Sequence, residues 1–178
     1  MATKPLMTAL PTIKGAQAYT GATLVSAGTF NLAGNIPGSD LTVSAGANLQ
    51  GLGTAKSITF GNNTSFSADP TAATLLTATN ALTINGTDKV QVNLLAGPAG
   101  TTPFTILNYG STNATGANFI LTGAASYRNA PTFNVGATST TLQLGFGQLT
   151  WSNSAGLFVW DNNLTANFTN NTTLLADK

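Results

Sequence analysis

The chain has 178 residues and a net charge of +1, with hydrophobic residues at 42%, charged residues at only 6%, and neither histidine nor cysteine. Disordered chains combine low hydrophobicity with high net charge, the reverse of this balance, so the sequence reads as folded, and its length suits one domain with a real core. The inventory excludes a Ser-His-Asp triad, imidazole metal ligands, a thiolate nucleophile and disulfides, and the scattered Lys4, Lys14, Lys56, Lys89, Arg128 and Lys178 form no positive stripe for nucleic acid.

In chain order, residues 1–19 carry the apolar Leu6, Met7, Leu10 and Ile13 and two prolines, and read as an N-terminal cap or connector. No apolar run approaches the ~18 residues of a membrane span, and Met1 to Pro11 lacks a signal-peptide core, so no membrane insertion is expected. Residues 20–147 alternate with period 2, at Phe30/Leu32, Leu41/Val43, Ile58/Phe60, Leu82/Ile84, Val90/Val92/Leu94, Phe133/Val135 and Leu142/Leu144/Phe146. Turns rich in Gly and Asn separate them, among them Gly34-Asn35, Gly61-Asn62-Asn63, Asn85-Gly86 and Gly97-Pro98-Ala99-Gly100. No helical pattern persists for three turns, and the class is all-β. Residues 148–178, with Trp151 and Trp160, read as a terminal segment that caps the fold or opens a further module.

The strands recur. Thr23-Leu24-Val25-Ser26-Ala27-Gly28 returns as Leu41-Thr42-Val43-Ser44-Ala45-Gly46, and similar units begin near Ile58 and Leu82. A step of roughly 17 to 24 residues is that of one coil in a repeat architecture. Stacked coils would pair their strands in parallel around a continuous core, with Leu24, Phe30, Leu41, Val43, Ile58, Phe60, Leu82, Ile84, Val90 and Val92 pointing inward. Thr and Asn would face water or stack on copies of themselves. The alternative is a Thr-rich β-sandwich.

The segment Ala18-Tyr19-Thr20-Gly21-Ala22-Thr23, followed by Ser26-Ala27-Gly28-Thr29-Phe30-Asn31-Leu32, resembles the autotransporter-associated β-strand repeat of bacterial passenger regions. Residues 57–67, 82–86 and 104–110 resemble the less regular coils that close such a module. Leu149-Thr150-Trp151, Phe158-Val159-Trp160-Asp161 and Ala166-Asn167-Phe168 resemble the opening of a new one. The resemblance implies a right-handed parallel β-helix, extracellular or displayed on a bacterial surface, with no chemistry assigned to the repeat. No membrane-embedded barrel follows, so a segment of a longer protein or a small relative using the same coil differently is expected.

Asp40, Asp69, Asp88 and Asp161 are the carboxylates outside the terminal Asp177. Glycosidases set two carboxylates facing one another across a sugar, but none of these recurs as a pair at coil spacing. Asp69-Pro70 and the Asp88 that follows Gly86-Thr87 lie in turn contexts. All four are expected to be turn residues, with no catalytic role. Trp151 and Trp160 are candidates for an aromatic sugar platform or, in preference, for an apolar cap. Sequons such as Asn85-Gly86-Thr87 and Asn163-Leu164-Thr165 are expected from composition alone. No metal or cofactor is assigned. The expected function is a non-catalytic structural or adhesive β-solenoid that assembles head-to-tail as a homo-oligomer or filament, or docks on neighbouring modules of a longer chain. A surface glycan is a further expected contact, and a carbohydrate-binding or carbohydrate-active β-helix is the alternative.

Overall fold

A computed structural model of the protein describes residues 11–73, 75–96, 103–124, 129–145, 149–151, 168–170 and 176–177. Its strands are β1 (Thr12–Ile13), β2 (Thr23–Val25), β3 (Gly28–Leu32), β4 (Asn35–Val43), β5 (Ala47–Gln50), β6 (Thr54–Phe60), β7 (Ser65–Ala68), β8 (Thr77–Ile84) and β9 (Val90–Leu94). They continue with β10 (Phe104–Thr112), β11 (Phe119–Leu121), β12 (Asn129–Val135), β13 (Ser139–Gly145), β14 (Leu149–Trp151), β15 (Phe168–Asn170) and β16 (Ala176–Asp177). Among the described residues there is no α-helix, only a 3-10 turn at Gly116–Asn118.

The chain visits two sheets alternately. Strands β1, β3, β5, β7, β9 and β11 form sheet A, in that order and parallel throughout. Strands β2, β4, β6, β8 and β10 form the parallel part of sheet B. Each strand thus pairs with the strand two places earlier, giving layers of one strand per sheet. The repeat read from the sequence is the ladder itself: Thr23 pairs with Leu41, Leu41 with Ile58, and Ile58 with Leu82. Parallel pairing sets these sheets apart from the antiparallel sheets of the sandwich alternative.

Stacking lines up side chains of one parity. In sheet B, Val25, Val43, Phe60 and Ile84 form one inward row, and Ile36, Ala55, Ala78 and Tyr109 another. In sheet A, Leu49, Phe66, Val92 and Leu121 stack inward, with Phe30 half-buried at the start of the row. Phe60, Phe66, Phe119 and Phe133 continue ring to ring through the interior at centroid separations of 5.7, 6.5 and 5.6 Å. Apolar burial of this kind is the main favourable term in folding, about 1.5–3 kcal/mol for each large side chain.

Leu24 corrects one expectation. It is 65% exposed, and Val25 at 6% takes the inward place. Register is the reason: Leu24 lies beside Thr42, which lies beside Thr59 and then Thr83, so the whole row faces outward. Eight of the ten expected inward residues, from Leu41 through Val92, are buried.

Parallel stacking ends at β10 and β11. The segments holding Phe133/Val135 and Leu142/Leu144 form an antiparallel hairpin, β12 with β13, and β13 pairs antiparallel with β10. Tyr109 ties the hairpin down: its hydroxyl donates to Gly136 O at 3.0 Å and lies 3.2 Å from the buried Thr140 Oγ1. Within the expected N-terminal segment, Thr12–Ile13 joins sheet A beside β3. In the expected terminal segment, β14, β15 and β16 pair antiparallel.

Two kinds of corner allow the layers to approach. Gly46 has φ +77° and Asn63, whose carbonyl receives the Gly46 N–H, has φ 48°, a left-handed bend that glycine and asparagine accept. At the opposite corner Gly15, Gly34 and Gly53 stack, and a Cβ on Gly34 or Gly53 would run into the carbonyl of the glycine before it.

Candidate functional site

The outer surface is built from amides and hydroxyls that bond from layer to layer. Asn48 on β5 lies between Thr29 and Ser65, its register neighbours. Its Oδ1 accepts from Ser65 Oγ at 2.9 Å, and its Nδ2 donates to Ser67 Oγ at 3.3 Å. Asn62 Oδ1 accepts the Thr87 N–H at 2.7 Å, holding the turn of the following layer. Asparagine meets hydroxyl or backbone in these contacts, where the sequence suggested that Thr and Asn face water or stack on copies of themselves. The sequence signal that identifies Asn48 is its spacing: it falls one coil from Thr29 and one from Ser65.

The Tyr19-x-Gly21 stretch also has a structural task. Tyr19 Oη lies 2.9 Å from Thr23 Oγ1, which lies 2.8 Å from Ser39 Oγ, and Ser39 donates to Gly21 O at 2.7 Å. Ser39 is fully buried on β4, so this relay satisfies its hydroxyl while clipping one layer to the next.

The carboxylates occupy separate elements. Asp69 follows β7 and closes a turn, its Oδ1 accepting from Thr71 N at 2.9 Å and from Thr71 Oγ1 at 2.6 Å. The Thr71 hydroxyl, followed by its N–H, holds this carboxyl below its ordinary value. Asp88 lies in the bend between β8 and β9, its N–H directed at Asn62 Oδ1. Asp40 departs from the expected turn role. It lies within β4, at the point where the register between β4 and β6 shifts. There it accepts from Ser57 Oγ at 2.6 Å and pairs with Lys56 Nζ at 3.0 Å. The Ser57 bond, then the Lys56 bond, lowers its pKa. That irregularity brings Lys56 and Ser57 of the next layer beneath one carboxylate. Asp161 lies outside the described residues. Among the described residues no group of three acidic, histidine or cysteine side chains could hold a metal ion.

Trp151 ends β14, where its register partner is Phe168 on β15. Trp160 and the Asn163-Leu164-Thr165 sequon lie outside the described residues. At the far end of sheet A, β11 is the last strand and, among the described residues, nothing pairs with its outer edge. A depression of about 500 Å3 opens beside it, lined by Lys89, Phe119, Ile120, Leu121, Pro131 and Phe133.

No family model, curated protein or solved structure matches this chain.

Proposed function

We propose that the chain is a right-handed parallel β-helix serving as a non-catalytic structural or adhesive element outside the cell or on a bacterial surface, with copies or neighbouring modules joined head-to-tail. One observation carries this reading: sheet A is parallel from β1 to β11 and, among the described residues, has an unpaired edge at each end. Unpaired strand edges are templates for further pairing unless charge or a cap blocks them. At the β11 end the lining side chains are apolar apart from Lys89 and Thr132, and the chain's net charge of +1 offers little repulsion. Because the edges at the two ends belong to different strands, the contact is heterologous, and without rotational closure it yields a filament. The placement of Asp40, Asp69 and Asp88 on three separate elements, with the Asp40 and Asp69 carboxylates engaged by Ser57 and Lys56 and by Thr71, supports the non-catalytic part.

Light scattering and electron microscopy of the full chain over a range of concentrations test the assembly. Oligomers or fibres are expected, and removal of residues 1–19 is expected to abolish them while leaving a soluble β-rich protein. A full chain that stays monomeric at high concentration overturns head-to-tail self-assembly. A hydrolytic or lyase activity lost on Asp40→Asn, Asp69→Asn, Asp88→Asn or Asp161→Asn overturns the non-catalytic reading.

A further inference from the structure

The corner that follows the strands of sheet A carries a groove of about 380 Å3. Asn31 lines it from β3, Gln50 from β5, Gly51 and Leu52 from the loop after β5, Asp69 from the turn after β7, and Leu95 from the bend just after β9. Four consecutive layers contribute, and three inter-strand spacings give the groove a length of about 14 Å. Gly51 keeps it open: its φ is +117°, and a Cβ there would meet Leu32 O and Asn31 Oδ1.

The lining has a distinctive chemistry. Leu52 and Leu95 are 38% and 54% exposed, so two of the large apolar side chains that reach solvent do so in one groove. Among the described residues the Asn31 and Gln50 side-chain amides have no hydrogen-bond partner, whereas Asn48 on the same sheet is occupied by its neighbours. Asp69 bonds Thr71 through Oδ1, which leaves Oδ2 open to a ligand. Among the described residues no basic side chain lines the groove.

We propose that this groove binds a neutral oligosaccharide laid across the stacked layers. Sugar rings present hydroxyl edges and C–H faces. The two amides and Asp69 Oδ2 supply donors and acceptors for the first, and the leucine side chains supply apolar contact for the second. Pockets of this size bind by such a combination of apolar lining and a few directed polar groups. An anionic sugar would meet the Asp69 carboxylate with no cation among the described lining residues to offset it. The inference rests on the proposed surface β-helix only for where the sugar is encountered, since the groove itself is a property of the layers.

The test is titration of the full-length, 15N-labelled chain with maltotriose, cellotriose and chitotriose, with trigalacturonate as the anionic arm and calcium chloride as the cation arm. At least one neutral trisaccharide is expected to shift the amide resonances of Gln50, Leu52 and Leu95, while trigalacturonate and calcium alone leave them in place. Asp69→Asn and Leu95→Ala should each weaken binding about tenfold, the loss expected when a charged acceptor or a buried apolar contact is removed. Thr42→Ala, on the outer face of β4, should leave binding unchanged. All three substitutions fall outside the core, and unchanged spectral dispersion verifies the fold. The proposal is overturned if no neutral trisaccharide shifts these resonances, if trigalacturonate binds better, if calcium alone reproduces the shifts, or if Thr42→Ala weakens binding equally. Shifts that persist in a strictly monomeric chain overturn the head-to-tail assembly alone, and their absence in a chain that forms filaments overturns the groove alone.

Discussion

Asn113 holds Ile84 as a neighbouring strand would, its Oδ1 accepting the Ile84 N–H at 2.8 Å and its Nδ2 donating to the Ile84 carbonyl at 3.1 Å. Strand β10 stops at Thr112, paired with Leu82, so the side-chain amide carries the ladder past the end of the strand. Replacing it by Asn113→Ala strips both backbone groups of that partner and should lower the unfolding free energy by about 1–3 kcal/mol. Asn113→Asp keeps an acceptor but sets negative charge against the Ile84 carbonyl, and should be no better than alanine. Urea unfolding with an unchanged slope is the measurement.

The two glycine corners should respond differently to alanine. A Cβ on Gly46 meets nothing within 4 Å, so only its φ of +77° resists, and Gly46→Ala should lower stability by about 1–2 kcal/mol. On Gly53 the Cβ would strike Gly34 O and Leu32 O, backbone atoms that cannot rotate aside. Gly53→Ala should therefore be the more damaging of the two, since the layers themselves must separate. Parallel urea titrations decide the order, and equal losses would contradict the stacked-glycine account.

The exposed Leu24 and the buried Ile58 make a second contrasting pair. Leu24→Thr extends the outward row of Thr42, Thr59 and Thr83 and should change stability by no more than about 0.5 kcal/mol. Ile58→Ala removes a side chain buried in the core and should cost about 2–5 kcal/mol. Thermal melts of the two variants read this difference directly.

Acid should act through Asp40 and Asp69, whose folded pKa values lie below the ordinary 3.8. For Asp40 the Ser57 hydroxyl and then Lys56 are the causes, and for Asp69 the Thr71 hydroxyl and N–H. A depressed folded pKa contributes stability that is full above the unfolded value and lost as pH falls through the folded one. With no histidine and no cysteine in the chain, no side chain of ordinary pKa titrates between about pH 5 and 8. The melting temperature should therefore be flat across that range and decline only below about pH 4. Because both carboxylates are exposed the decline should be shallow, and shallower still in Asp40→Asn. A melting temperature that changes steeply near pH 6 would contradict this.

The all-β class, the short alternating strands and the places where the chain returns on itself were legible in the sequence, because alternation and turn chemistry are local properties. The positions read as repeat starts, Thr23, Leu41, Ile58 and Leu82, are direct ladder partners. Which parity of a strand faces inward was not legible where both parities are apolar, as in Leu24-Val25. That choice belongs to the partner strand, since Val25 must lie over Val43 and Leu24 over Thr42. Nor did alternation distinguish the antiparallel hairpin of β12 and β13 from two further parallel layers, because a strand's in-out pattern is the same in either direction. The local sign of the reversal is the short link, Gly136-Ala137-Thr138, too short for a parallel crossover. Only the stacked structure brought Ser57 and Lys56 to Asp40, Asn113 to Ile84, and Asn31, Gln50, Asp69 and Leu95 into one groove. Residues that far apart in sequence meet through register, and register is set by how whole layers bury their apolar rows together.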